Sequence, residues 1–315
     1  MAKAIEEISS RFVGHFGLGT HGQRIGSPKS EIHDGDTINV RALGDFSVRF
    51  LGIDTPEISY RLPGQDSFIS LSNTKWEDFL TDPFADAEGA QFLASLSTGL
   101  RDHLANAVGS GTATNHYQHA FIAQRELERQ VEQDIADQGE TNESFRFFLS
   151  FAFEKMERFG RLLVYINRDQ KATPRPLDYN SRMLQAGIAA PYFIWPNINP
   201  FRRIASLLEA IPNPGTANTL ANRESTLRDA RAWVNGARTN GVGLFDSQDP
   251  LRLMPFELRF LAERREPVRW VIDLSKDDDT LIAPQDYYTI QNIEDRLFIP
   301  GEYITLFKEK GWKTA

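Results

Sequence analysis

The chain has 315 residues, 41% of them hydrophobic and 25% charged, with a formal net charge of −8 and no cysteine. It is long enough to bury a sizeable core. No run approaches the roughly 18 apolar residues of a membrane span, and the lack of thiols excludes disulfides and thiolate metal sites. A protein that coats nucleic acid nonspecifically is usually basic, so the acidic balance counts against a pure nucleic-acid-binding module. It is compatible with an enzyme that presents a few arginines locally and draws further positive charge from a metal ion.

In chain order, residues 1–30 read as a weakly structured lead-in, punctuated by Gly17, Gly19, Gly22, Gly26 and Pro28. Glu6 and Glu7 stand where a secretory leader needs its apolar centre, so a cytoplasmic location is expected. From Glu31 the pattern turns to β. Ile38 and Val40 alternate with Asn39 and Arg41, Leu43-Gly44-Asp45 is a turn, and Phe46 to Ile53 is the returning strand. Gly52 predicts a bulge or bend near the end of that strand. Without a bend, strict alternation would put Arg49 and Asp54 on opposite faces. Pro56 then ends the ladder.

Residues 58–83 read as a long loop carrying Trp76 and Phe79, of a length often used for lids or binding loops. A helix begins at Asp86 and runs on through Leu104 to a break at Gly109-Ser110-Gly111. A second helix covers about 116–138, with Leu127, Val131 and Ile135 on one side and an acidic opposite face. Phe145 to Phe153 and Leu162 to Ile166 read as strands. Asp178 to Ala189 is a short helix, Pro191 to Asn197 an irregular aromatic stretch, and 200–210 and 217–239 are helical. Beyond Ser247, Arg269–Leu274 and Tyr287–Ile290 read as strands separated by the solvated turn Lys276-Asp-Asp-Asp279.

Several short motifs carry chemistry. Asp34-Gly-Asp36-Thr37 and Asp54-Thr-Pro-Glu57 flank the two strand-like runs, Arg49 lies in the second run, and Phe159-Gly160-Arg161 precedes a later strand. Each alone has an ordinary structural explanation: Asp-Gly marks hairpin turns, and Thr-Pro-Glu marks a strand exit or helix start. Taken together they supply what phosphodiester hydrolysis needs, which is an activated water, a cation on phosphate oxygens and donors for charge building on them. Asp36 and Asp54, with the Thr55 carbonyl, are hard oxygen donors suited to Ca²⁺. Glu57 is placed to take a proton from a water, and Arg49 and Arg161 can fork onto phosphate oxygens. His33 reads as a strand-edge histidine, His103, His116 and His119 read as solvent-exposed, and Trp76 and Phe79 more readily dock on the protein's own core than stack on bases.

The order D-G-D-T, two strands, R-x4-D-T-P-E, then F-G-R before a strand resembles the thermonuclease (staphylococcal-nuclease-like) family. The resemblance makes Asp36, Asp54 and Thr55 metal ligands, Glu57 the general base, and Arg49 and Arg161 the phosphate clamps. Asn180, Leu184 and Gly187 resemble that family's N-x3-L-x2-G helix, and Ala230 to Phe245 its closing helix and anchor. Tyr192 then becomes a substrate-packing candidate. Phe159, which stands where the family has Tyr, would lie beside the substrate.

The resemblance implies an α+β fold, a small OB-type β-barrel with packed helices over about 31–245. The segment at about 109–143 is a helical insertion, and 246–315 is a C-terminal extension or accessory subdomain. It also implies a calcium-dependent nuclease acting on DNA and RNA, cleaving to leave 3′-phosphates, with no membrane partner. Residues 109–143 or 246–315 are surfaces for a protein partner. The alternative is a noncatalytic nucleic-acid- or protein-binding OB module, because this barrel also serves as a plain binding scaffold.

Overall fold

The computed structural model describes residues 4–8, 11–14, 16–22, 24–31, 40–42, 44–156, 161–170 and 173–315. They fall into two compact units, Met1–Arg49 with Glu154–Val164, and Phe50–Phe153 with Tyr165–Ala315.

The smaller unit is built from short strands: β1 (Ile5–Ile8), β2 (Arg11–Gly14), β3 (Phe16–Leu18), β4 (Thr20–His21) and β5 (Arg24–Ile25), then the turn of helix α1 (Pro28–Glu31), β6 (Val40–Ala42) and the start of β7 (Val48–Phe50). β1 pairs antiparallel with β2, β3 with β6, and β4 with β5. The described residues between Ile5 and Ile25 therefore fall mostly in paired strands, where a weakly structured lead-in is expected from the sequence. Gly22, with φ +62°, makes the turn between β4 and β5.

The larger unit opens with β8 (Gly52–Asp54). A short hairpin of β9 (Ser59–Tyr60) and β10 (Ile69–Ser70) follows, then α2 (Thr74–Thr81), α3 (Ala87–Ser95), α4 (Thr98–Ala107) and α5 (Thr112–Gln138). The long loop expected at 58–83 thus holds a hairpin and a helix. Trp76 is wholly buried, its indole N–H donating to the Ile69 carbonyl. The helix expected from Asp86 through Leu104 is two helices, because Asp86 caps the first and Ser97 caps the second. Strands β11 (Phe147–Met156) and β12 (Leu162–Arg168) come next.

Helix α6 (Tyr179–Gln185) is capped by Asp178 and leads to β13 (Ala190–Ile194). Pro191 to Ile194 was expected to be irregular. It is a central strand instead, because its near-continuous apolar run can be buried on both faces. Helices α7 (Leu207–Ala210), α8 (Ala217–Arg223) and α9 (Ser225–Thr239) follow. The single helix expected over 217–239 divides at Glu224, whose carboxylate caps Leu227 N–H at 2.8 Å. The last elements are α10 (Pro255–Glu263), β14 (Trp270–Asp273), β15 (Thr280–Leu281), β16 (Arg296–Ile299), α11 (Ile304–Glu309) and β17 (Lys313–Thr314). The strand expected at Tyr287–Ile290 is a 3-10 helix, Pro284–Thr289, started by its proline.

The frame of the larger unit is a four-stranded mixed sheet in the order β14-β16-β13-β8. β13 runs parallel to β16 and antiparallel to β8. Alternate side chains face opposite layers. Ile53, Phe193, Ile272, Leu297 and Ile299 enter one core with residues of α6, α8, α9 and α11. Tyr192, Val271 and Phe298 enter another with residues of α2, α3, α4 and α10. No unit boundary falls near residue 245, since β14 and β16 of the 246–315 segment belong to the same sheet as β8.

The described sheets are open, and no closed barrel is formed among the described residues. Residues 32–39, which hold Asp34-Gly-Asp36-Thr37, lie outside them. No helix among the described residues is long and apolar enough to cross a membrane.

Candidate active site

Asp54 closes β8, the edge strand of the four-stranded sheet, opposite Ala190. The expected bend is present: Gly52 has φ +76°, and a Cβ there would sit 3.1 Å from the Tyr165 hydroxyl. Just upstream the chain is pinned by the buried side chain of Asn180. Its Nδ2 donates to the Leu51 carbonyl at 2.9 Å and its Oδ1 accepts from Ile166 N–H at 3.1 Å. Gly187 ends the same helical segment with φ +69°, where a Cβ would meet Ala237 Cβ at 2.9 Å. The N-x3-L-x2-G pattern is thus a structural clamp on the strand that carries Asp54.

By alternation Ile53 enters one core, so Asp54 faces the other layer, where α10 packs. There it meets Arg259. Arg259 Nη2 donates to Asp54 Oδ2 at 2.6 Å, and Nη1 donates to Asp54 Oδ1 at 3.1 Å and to Glu57 Oε1 at 2.8 Å. The Asp54 side chain is 2% exposed, Arg259 17% and Glu57 24%. Burial works against the Arg259 charge, but the Asp54 and Glu57 carboxylates outweigh it and hold the guanidinium pKa above its ordinary value.

The backbone at Glu57 is held separately, its N–H donating to His116 Nε2 at 2.9 Å. His116 is 0% exposed, and burial pushes its pKa down to about 3, so the ring is neutral. Glu263, one turn beyond Arg259 on α10, accepts the Tyr60 hydroxyl proton at 2.5 Å.

The sequence-predicted residues divide. Asp54, Thr55 and Glu57 lie in the larger unit, with Thr55 and Glu57 half-buried. Arg49 and Arg161 lie in the smaller unit, both half-buried. Arg49 lies on β7 and Arg161 just before β12, the strand beside it, with Leu162 N–H donating to the Ser47 carbonyl at 3.2 Å. Asp36 and Phe159 lie outside the described residues.

Tyr192 is not offered to a substrate. It is 9% exposed, its ring stacks on Phe256 at 5.3 Å, and its hydroxyl accepts from Arg269 Nη1 at 2.7 Å. The reason is its place on β13, a strand covered on both faces. The expectation of exposed histidines at 116 and 119 is also corrected. Both are buried, and His119 Nε2 lies 2.9 Å from the Asp249 carbonyl oxygen.

Sequence reasoning passed over Arg259 and misplaced His116 on the surface. Arg259 had one signal, a lone cation within the apolar run Phe256-Glu-Leu258-Arg-Phe260-Leu261. His116 had another, since His116, His119, Ala120 and Ala123 share the buried side of α5.

Carboxylates and a carbonyl are the hard donors that Ca²⁺ takes. A carboxylate offers about four lone pairs. The bidentate guanidinium engages both Asp54 oxygens and already compensates that charge, so a cation held there would have to share Asp54 with Arg259. Among the described residues no three His, Asp or Glu side chains gather as a metal-binding group.

The chain is 23% identical over 267 residues, or 84% of its length, to Endonuclease YhcR of Bacillus subtilis (strain 168). It spans 15% of the length of that protein. No family model matches the chain, and no solved structure matches it.

Proposed function

We propose that the chain is a metal-dependent nuclease that hydrolyses phosphodiester bonds in DNA and RNA, of thermonuclease type. The observation that carries this reading is the Asp54–Glu57 segment. One carboxylate is fixed in a buried ion pair, and a second, three residues on, is partly open to solvent and held through both its backbone and one side-chain oxygen. That is the arrangement expected of a charged group that must stay in place beside one that must reach a water. The distant similarity to an endonuclease supports the same reading.

In this proposal Glu57 takes the proton of the attacking water. Arg49 and Arg161 stabilise charge on the phosphorane-like transition state, one of them assists the leaving 5′ oxygen, and products carry 3′-phosphates. Asp36, Asp54 and the Thr55 carbonyl would hold Ca²⁺, which supplies Lewis-acid polarisation of the scissile phosphate when bound. An OB-type barrel with packed helices over about 31–245 is part of the same proposal, although the described sheets are open and β14 and β16 share a sheet with β8.

One observation favours the second reading, a noncatalytic binding module: both Asp54 oxygens are engaged by Arg259. A digestion assay separates the two. Labelled single-stranded DNA is incubated with the full chain in Ca²⁺ or in chelator, and the product ends are analysed. Calcium-dependent 3′-phosphate products are expected. DNA that is retained in a gel shift but left uncut with every divalent ion tested would favour the binding module.

A further inference from the structure

We infer that Arg259 is a positioning residue of the nuclease site, setting the spacing and orientation of the Asp54 and Glu57 carboxylates. The inference rests on the reading of Glu57 as the general base. It makes the 246–315 segment part of the catalytic apparatus rather than an accessory to it.

The geometry is the first reason. A guanidinium is planar and presents its N–H groups in a rigid fork. Here one edge of the fork takes both oxygens of Asp54, and Nη1 also reaches Glu57 Oε1. One rigid group therefore ties a carboxylate at the end of β8 to a carboxylate in the loop that follows. The His116 contact fixes the Glu57 backbone, and Arg259 fixes its side chain.

The second reason is that Arg259 stands on a rigid support. Helix α10 begins with Pro255, and Glu257 Oε2 reaches back to accept Met254 N–H at 2.9 Å, the reciprocal half of a capping box. Phe256, one turn before Arg259, packs on Tyr192 and on Tyr287, each at 5.3 Å between centroids. The helix is thereby locked to the strand next to β8.

The third reason is energetic. Withdrawing Arg259 would break a bidentate ion pair to a carboxylate only 2% exposed, a large penalty at that depth. That cost argues against a latch that swings away to open the site and for a permanent member of it.

The test measures steady-state cleavage of labelled single-stranded DNA in Ca²⁺ by the full chain and by Glu57→Gln, Arg259→Lys, Arg259→Gln and the Arg259→Lys/Glu57→Gln pair. Circular dichroism melts establish that each is folded at the assay temperature. Lysine keeps the charge but has no fork. Arg259→Lys should therefore lower kcat roughly 10- to 10²-fold, the size of effect that a small misplacement of a catalytic group produces, with KM close to wild type. Arg259→Gln, which loses the charge as well, should fall at least as far. If Arg259 acts through Glu57, the lysine substitution costs nothing more in the Glu57→Gln background.

A kcat at or above wild type in Arg259→Lys, or a full multiplicative loss in the pair, overturns the inference while leaving the nuclease reading intact. So does an activity loss in both Arg259 variants that only tracks unfolding. A wild-type chain that cleaves nothing with any divalent ion overturns the nuclease reading, and the positioning role with it.

Discussion

Helix α10 serves two buried carboxylates in different ways. Glu257, on the helix itself, is 2% exposed and engaged at both oxygens: His103 Nε2, on a side chain 32% exposed, lies 2.7 Å from Oε1, the Tyr287 hydroxyl donates to Oε1 at 2.7 Å, and Met254 N–H donates to Oε2. Burial alone would raise its pKa, but the His103, Tyr287 and Met254 contacts bring it below the ordinary value. Asp54 is buried as deeply, yet its partner Arg259 is shared with Glu57, which reaches the solvent. The Glu257 network reaches solvent at an imidazole, His103, and joins donors that tie helices together. A buried charge whose network leads to a second, partly open carboxylate is a candidate for chemistry. Burial does not separate the two cases; where the network ends does.

The largest effect expected is at the open end. Glu57→Gln should lower turnover about 10²- to 10⁴-fold, the usual contribution of a general base, with an unchanged melting temperature and retained DNA binding by fluorescence anisotropy. Near-normal turnover would remove Glu57 from the mechanism and put its network in the same class as that of Glu257. Next, Arg161→Ala should cost on the order of 10²- to 10³-fold in kcat if it stabilises transition-state charge. Wild-type kinetics in that variant would confine the chemistry to the larger unit.

Glu257→Gln should do the reverse of Glu57→Gln. It should lower stability by about 1–3 kcal/mol, since a charge-accepting group is lost from donors that stay buried. Its kcat per folded molecule should match wild type in denaturant titrations paired with activity assays. A specific loss of kcat would mean that the Glu257 network also reaches the site.

The smallest effect concerns pH. His116 takes up its proton only near pH 3 in the fold, against an ordinary value of 6.5. Between those values the unfolded chain binds more protons, so this residue lowers stability as the pH falls below about 6.5 and has no such effect above it. The melting temperature of the wild-type chain should drop more between pH 7 and 5 than that of His116→Gln. Parallel curves would show that the Glu57 loop tolerates a charged ring.

Much of the local structure was readable residue by residue. Gly52 announced its bend, Asp86 and Asp178 their helix starts, and Gly187 its helix end, because each requirement is met within a few positions of the chain. The Asp54-Thr-Pro-Glu57 carboxylates were legible for the same reason. Errors came where burial overrode local pattern. Pro191–Ile194 looked irregular until sheet neighbours on both sides made it a strand, and Tyr192 went with it into the core. Ser97 and Glu224 divided helices whose apolar spacing read as continuous, because a side-chain cap competes with one more helical turn.

By itself, then, the sequence determined which acids and arginines are available and in what order, since residue type and spacing are read directly along the chain. The tertiary structure alone decided that Arg259, 205 positions after Asp54, shares a bond network with it, and that His116 holds the Glu57 backbone. The physical reason is range. Capping, turns and strand alternation are set by neighbours along the chain, whereas a buried carboxylate takes its compensating charge from whatever cation the packing of sheet and helix brings within hydrogen-bonding distance.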